Sequence, residues 1–170
     1  MKTSDQPIET ADTIELVPQI LHLKKILVPT DFSETSKKAL QYALRFAEQF
    51  GCEIVLLYVV EPATPLIGAP LAIKACTDKD EFSIAEKDLA VLAAESHTNG
   101  AHSVSSFVRA GHAPNEITKA ARELDIDLII IATHGYTSWR NLCIGSTAER
   151  VVRTAPCPVL VVREKEHEFV

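Results

Sequence analysis

The segment Asp-Leu-Ile-Ile-Ile-Ala-Thr-His-Gly at residues 127–135 decides the fold of this 170-residue chain. A leucine and three isoleucines follow one another at 128–131. A short apolar run that stops at turn-forming residues predicts a buried strand. We therefore predict a strand over residues 127–132 that ends directly at a glycine-bearing loop.

Four further apolar runs predict strands on either side of this one. They cover residues 24–30, 53–60, 103–109 and 158–163. The run at 53–60 is too continuously apolar for a strand with one wet face. It is typical of a strand in the middle of a parallel sheet that is covered on both sides.

Helical patterns separate the first three strands. Asp31 or Ser33 can cap the first helix, which the pattern ends at Gly51. Residues 61–77 contain three prolines and a glycine, so we predict a long irregular connection there, either a lid or a disordered surface loop. A second helix is predicted over about 80–97.

Two more helices complete the pattern. A turn at residues 111–114 places Pro114 at the first position of the third helix. The fourth helix opens at residues 145–147. Each helix therefore connects one predicted strand to the next.

Alternating strands and helices predict an α/β fold with a five-stranded parallel, doubly wound sheet and right-handed crossovers. The strand orders 2-1-3-4-5 and 3-2-1-4-5 both fit this pattern. In the second, the order reverses between strands 1 and 4, and ligands bind in the crevice beyond the carboxyl ends of such strands. Asp31 and the loop from Thr133 converge at that crevice.

The composition excludes several classes of protein. Asp and Glu outnumber Lys and Arg by 23 to 17, and the net charge of -6 argues against nonspecific nucleic-acid binding. The sequence lacks the run of about 18 apolar residues that a membrane span needs. Its acidic start does not resemble a signal peptide. We therefore expect a cytoplasmic protein that binds neither nucleic acid nor membrane.

The length fits a single domain, which we expect over residues 24–165. Residues 1–23 are expected to form a flexible arm and residues 166–170 a charged tail. The four cysteines are widely spaced, as expected of reduced thiols. The histidines show no metal-ligand spacing, so we predict no metal site apart from Mg²⁺ that accompanies a nucleotide.

The loop after residue 132 carries the chemistry. Ala-Thr-His-Gly at 132–135 is followed after nine residues by Gly145, Ser146 and Thr147. Glycines let a backbone approach an anion closely, and the unpaired N–H groups of a helix start point at it. The Ser146 and Thr147 hydroxyls can bind phosphate oxygens, but they can equally serve as the helix N-cap. His134 has no evident nucleophile or acid partner, so we predict no catalytic residue.

Three segments together resemble the universal stress protein family. They are Val-Pro-Thr-Asp-Phe-Ser at 28–33, the segment at 127–135, and Gly-Ser-Thr-Ala-Glu-Arg-Val at 145–151, which is followed by Ala-Pro-Cys-Pro-Val-Leu-Val-Val. The resemblance covers about residues 24–163. It implies the strand order 3-2-1-4-5 with helices on both faces. It also implies homodimers formed by pairing of the fifth strands through Val159–Val162, which would cover an exposed apolar edge.

In family members that bind ATP, the phosphate loop has the pattern G-x2-G-x9-G-[ST]. The corresponding residues here are Ala132, Gly135, Gly145 and Ser146. The pattern departs at Ala132, where a methyl group can crowd the ribose or the phosphates, and ADP or AMP then become alternatives to ATP as the ligand.

The resemblance also implies the roles of individual residues. Asp31 would bind the ribose or adenine side of the nucleotide, and the Val59 backbone would meet the adenine edge. Pro29 and Thr30 would shape the wall, and Ala132 would line the pocket. The phosphates would be held by Gly135, Gly145, Ser146 and Thr147.

Two functions fit these features. The first is an adenine-nucleotide-binding module in the stress response, in which occupancy changes what the dimer presents to an unidentified protein partner. The second is a family member without nucleotide, acting through dimerisation and protein contacts. The chain has no G-x-x-x-x-G-K-[ST] motif, so we expect no enzyme beyond very slow ATP hydrolysis. An adenylate-forming or electron-transfer enzyme would need substrate residues that the sequence does not offer.

Overall fold

The computed structural model describes residues 22–61, 71–98, 103–133 and 145–163. The expected charged tail, Gly135 and almost all of the expected N-terminal arm lie outside the described residues. Five strands and four helices alternate along the described chain: β1 (Lys25–Pro29), α1 (Glu34–Phe50), β2 (Glu53–Val60), α2 (Leu71–Thr98), β3 (Val104–Ala110), α3 (Ala113–Glu123), β4 (Leu128–Ala132), α4 (Ser146–Thr154) and β5 (Val159–Val162).

All five strands are parallel and follow the order β3-β2-β1-β4-β5. This confirms the 3-2-1-4-5 order that the family resemblance implies and rules out 2-1-3-4-5. The order reverses between β1 and β4, whose registers pair Ile26 with Leu128 and Leu27 with Ile129. The crevice predicted from the sequence therefore lies where these two strands end.

The sheet is covered by helices on both faces, as predicted. Ile26 and Val28 of β1 pack into a core with α1 and α2, whereas Leu27 packs into a second core with α3 and α4. All three side chains are fully buried. A strand buried on both faces has no solvent-facing position, which explains why its sequence shows no polar alternation.

Helix α1 is fixed at both ends by the predicted residue types. Of the two candidate caps, Ser33 takes the role, because its Oγ accepts the Ser36 N–H at 3.2 Å. Gly51 ends the helix in the left-handed region with φ 67, and its N–H donates to the Ala47 carbonyl at 2.9 Å. Glycine is the residue that adopts this conformation at the lowest cost.

The prediction of an irregular connection over residues 61–77 was wrong for its last part, because α2 begins at Leu71. The three prolines end at Pro70, and residues 71–79 contain neither proline nor glycine. Leucine, alanine and lysine in this stretch favour a helix. The interpretation of the connection as a lid concerns residues 62–70, which lie outside the described part of the chain.

Helix α3 begins one residue earlier than predicted. His112 is its N-cap and Ala113 its first residue, so Pro114 holds the second position instead of the first. The first turn of any helix has N–H groups without intrahelical partners, so a proline costs no hydrogen bond at either position.

Among the described helices, none has the length and apolar character needed to cross a membrane.

Candidate functional site

A cavity of about 410 Å³ lies at the carboxyl ends of β1 and β4. Eight of the nine residues that the sequence suggests for a nucleotide site line it, and the ninth, Gly135, lies outside the described residues. The eight are Pro29, Thr30, Asp31, Val59, Ala132, Gly145, Ser146 and Thr147. The fold therefore brings together residues that are up to 118 positions apart, from Pro29 to Thr147.

The end of β1 is held by a buried hydroxyl network. The Thr30 Oγ1 accepts the Phe32 N–H at 3.0 Å and lies 3.1 Å from the Ser36 Oγ. The Ser36 hydroxyl donates its single proton to the Ser33 carbonyl at 2.9 Å. Thr30 must therefore be the donor to Ser36. Both hydroxyls are buried and satisfied, so they fix the turn that carries Asp31.

Asp31 is oriented by this same turn. Its Oδ1 accepts the Ser33 N–H at 3.1 Å and the Ser33 hydroxyl at 2.6 Å. The next residue, Phe32, has φ 62, a left-handed conformation that is costly for a bulky side chain. Phe32 stacks on Tyr58 with ring centroids 5.1 Å apart, and this contact compensates part of the cost. Backbone strain of this kind occurs at ligand sites.

Replacing Thr30 by valine is expected to lower the free energy of unfolding by about 1–3 kcal/mol. Valine has nearly the same shape but leaves the Phe32 N–H without its acceptor and the Ser36 hydroxyl without its donor. Thr30→Ser keeps the hydroxyl and is the matched control. Chemical denaturation measures the effect. Unchanged stability in Thr30→Val together with a loss in Thr30→Ser would show that the methyl group, not the hydroxyl, holds the turn.

The end of β4 leads to the second wall of the cavity. The Thr133 N–H donates to the Val162 carbonyl at 2.8 Å, and the Gly145 N–H donates to the Thr133 carbonyl at 2.7 Å. The second bond closes the base of the loop that joins β4 to α4. It fixes the start of α4 beside Ala132, a half-buried residue of the cavity wall.

Gly145 is the N-cap of α4, and Ser146 and Thr147 are its first two residues. The interpretation of these two hydroxyls as the N-cap was therefore wrong, because glycine holds that position. The N–H groups of Ser146, Thr147 and Ala148 have no carbonyl partner within the helix. All three residues line the cavity, so a helix N-terminus forms part of its wall.

Sequence reasoning missed four polar residues of the cavity, namely Ser36, Tyr58, Glu61 and Glu81. Burial raises the pKa of the Tyr58 phenol above its usual value, and the nearby carboxylates of Glu81 and Asp31 raise that pKa further. The phenol therefore stays protonated at neutral pH and forms a hydrogen bond with Glu81. For Tyr58 the sequence did contain a signal, because it is a single hydroxyl-bearing residue in the otherwise apolar stretch of β2.

The lining of the cavity combines two kinds of electrostatic character. Asp31, Glu61 and Glu81 supply carboxylates, whereas Ser146 and Thr147 bring the N-terminus of α4 to the cavity. Carboxylates accept hydrogen bonds from hydroxyl and amino groups, and a helix N-terminus favours an anion. Among the described residues, no group of three or more His, Cys, Asp or Glu could hold a metal ion.

Comparison with known proteins agrees with the fold and the motifs. The profile of the universal stress protein family matches residues 22–163. The chain is 34% identical over 149 residues to universal stress protein MJ0531 of Methanocaldococcus jannaschii, with 85% of each chain covered. The solved structure of universal stress protein UspA from Lactobacillus plantarum has a TM-score of 0.78 and 26% identity, covering 85% of this chain and 100% of that one.

Two more distant structures contain adenine nucleotides of their own. One is a universal stress protein in complex with cAMP, with a TM-score of 0.58, 19% identity and coverage of 85% of this chain and 100% of that one. The other is the universal stress protein from Archaeoglobus fulgidus in complex with dAMP, with a TM-score of 0.56, 20% identity and coverage of 84% and 99%. At these identities the likeness shows the fold alone.

Proposed function

Because the chain belongs to the universal stress protein family, we propose that it is a cytoplasmic regulatory module whose cavity binds an adenine nucleotide. One observation carries this proposal: Asp31 and the N-terminus of α4 face the same cavity of about 410 Å³. That volume lies in the range of about 300–1,000 Å³ typical of small-molecule sites. Two relatives of the same fold, solved in complex with cAMP and with dAMP, support the proposal.

The nucleoside end of the ligand lies against β1 and β2 in this proposal. Asp31 accepts hydrogen bonds from the ribose hydroxyls, for which its carboxylate is already oriented by Ser33. The backbone of Val59 meets the adenine edge, and Pro29 and Thr30 form the wall beneath. This arrangement uses hydrogen-bond acceptors for the donors that a nucleoside carries.

The phosphate end lies against α4. The N–H groups of Ser146 and Thr147, which have no carbonyl partner within the helix, and the hydroxyls of these residues bind the phosphate oxygens, and Gly145 lets the anion approach the backbone. Gly135 is the further phosphate-loop residue in this proposal. ATP, ADP and AMP all carry the required phosphate, and Mg²⁺ accompanies the longer chains.

The described lining of this cavity includes no lysine or arginine. Phosphoryl transfer depends on positive groups that stabilise the charge of the transition state. We therefore propose a binding protein with at most very slow hydrolysis of ATP. Its output is a change in the surface that the dimer offers to a protein partner.

Ala132 decides between the nucleotide proposal and its alternative. Its methyl group stands where ATP-binding relatives of this pattern have glycine, and Ala132 lines the cavity. We expect Ala132→Gly to raise the affinity for ATP about fourfold, because relief of the crowding by one methyl group amounts to roughly 0.8 kcal/mol. Ala132→Leu adds three carbon atoms to the cavity wall, which crowd the ligand, and is expected to abolish binding. Calorimetric titration of both variants measures the difference.

The first test is calorimetric titration of the purified protein with ATP and Mg²⁺ and then with AMP, after mass spectrometry has shown whether nucleotide co-purifies. Saturable binding or co-purified nucleotide is the expected result. A flat titration of nucleotide-free protein would contradict the proposal and favour the alternative, a family member that acts through dimerisation and protein contacts alone.

Both the nucleotide-binding proposal and its alternative include a homodimer. In the described chain, β5 pairs with β4 on one side only and is an edge of the sheet. Val159, Leu160 and Val161 are only half-buried there. We propose that a second copy of β5 covers this edge, since an apolar strand edge left open promotes aggregation.

A further inference from the structure

Glu61 directly follows β2 and caps a helix that is distant in sequence. Its Oε1 accepts the Ala113 N–H, the first of α3, at 2.8 Å. The N-cap residue of α3, His112, makes no side-chain cap hydrogen bond. The Glu61 carboxylate therefore occupies the anion-attracting N-terminus of α3 in the way that a bound phosphate would.

A second cavity of about 490 Å³ adjoins the nucleotide cavity. It lies between the starts of α3 and α4, with His112 and Pro114 on one wall and Arg150 on the other. Among the described residues, the two cavities share three: Glu61, Ser146 and Thr147. Glu61 and the start of α4 therefore lie where the two cavities border each other, and this border is called the passage.

The geometry points to Glu61 as the residue that selects the ligand by the length of its phosphate chain, an inference that rests on the proposed nucleotide binding. The first phosphate binds at the N-terminus of α4. Any further phosphate extends through the passage into the second cavity and meets the Glu61 carboxylate. Glu61 thereby disfavours uncomplexed ADP and ATP relative to AMP, and a divalent cation that neutralises the phosphates relieves the repulsion.

The repulsion follows from charge and position. Each added phosphate brings negative charge towards a carboxylate that the Ala113 N–H holds in place. Arg153 in the second cavity is already paired with Glu149 at 2.8 Å, so part of the positive charge there is neutralised. Like charges at such a passage interact more strongly than in bulk water, because the protein wall lowers the local dielectric constant.

The test compares Glu61→Gln with the unaltered chain in titrations with adenosine, AMP and ATP, at low ionic strength and with a chelator present. Glutamine keeps an oxygen that can accept the Ala113 N–H but carries no charge. We expect ATP to bind about tenfold more tightly to the variant, AMP about twofold and adenosine equally. In excess Mg²⁺ the gain for ATP is expected to fall towards that for AMP.

Glu48→Gln is the matched control. It removes the same charge from the exposed end of α1, at the opposite edge of the sheet, and is expected to leave all affinities unchanged. An equal gain for adenosine and ATP in Glu61→Gln, or a gain that Mg²⁺ does not reduce, would overturn the inference. If no nucleotide binds the unaltered chain, the proposed function itself fails, and the two failures are thereby distinguished.

Discussion

Gly145→Val is expected to reduce the affinity for AMP and ATP at least about 100-fold, a loss of about 2.7 kcal/mol of binding free energy, while the protein stays folded. Gly145 lines the cavity directly before the first N–H groups of α4, which have no carbonyl partner within the helix. A branched side chain there occupies the space through which the phosphate must approach the backbone. Calorimetric titration measures the loss.

The substitution tests binding rather than folding because of the Gly145 backbone conformation. Its φ of -58 and ψ of 149 lie in the extended region that valine also adopts. The Gly145 N–H bond to the Thr133 carbonyl does not involve a side chain. We therefore expect a melting temperature close to that of the unaltered protein. Gly145→Ala adds a single methyl group and is expected to reduce the affinity for AMP and ATP about tenfold, which makes it a graded control.

If Gly145→Val keeps its affinity for AMP and ATP, the N-terminus of α4 is not part of the binding site. Lost affinity together with a much lower melting temperature would leave the variant uninformative, and Gly145→Ala then decides. The graded series separates a steric effect on the ligand from an effect on the helix start, because only the steric effect grows with side-chain volume.

The sequence predicted the layers of the fold because each strand is a continuous apolar run. The same feature gives no information about the order of the strands in the sheet. Ile26, Leu27 and Val28 are all fully buried, so their pattern does not indicate which strand lies beside β1. The order came from the family resemblance, which the pairing of β1 with β4 then confirmed.

The candidate site was predictable where residues are attached to strand ends in the sequence. Asp31 lies two residues after the end of β1, and Ala132 ends β4. Glu61 and Glu81 were not predictable, because their roles depend on contacts between distant segments. Glu61 bonds to Ala113, 52 positions away, and no local pattern reports such a bond. Glu81 lies in the part of α2 that the sequence predicted as helix, but only the packing of α2 against the sheet brings it to the cavity.

Val161→Pro is expected to raise the dissociation constant of the proposed homodimer at least about 100-fold. The hydrogen bonds from Ile129 to the Pro158 carbonyl and from Thr133 to the Val162 carbonyl show which β5 groups face β4. Residues of a parallel strand alternate between its two neighbours. Residues 158, 160 and 162 therefore face β4, whereas the backbone groups of Val159 and Val161 point to the open edge.

Proline at position 161 removes an outward N–H without removing a bond to β4, so the sheet itself keeps its hydrogen bonds. A two-fold interface contains each substitution twice, which doubles the loss of binding free energy.

Val161→Thr keeps both the N–H and the β-branched shape and is expected to remain dimeric. Analytical ultracentrifugation over a concentration series measures the constant. If the unaltered chain is monomeric at every concentration, or if the proline variant dimerises normally, the β5 edges of two copies do not pair with each other. AMP should still bind the monomeric variant, because the cavity is built within one chain between β1 and β4.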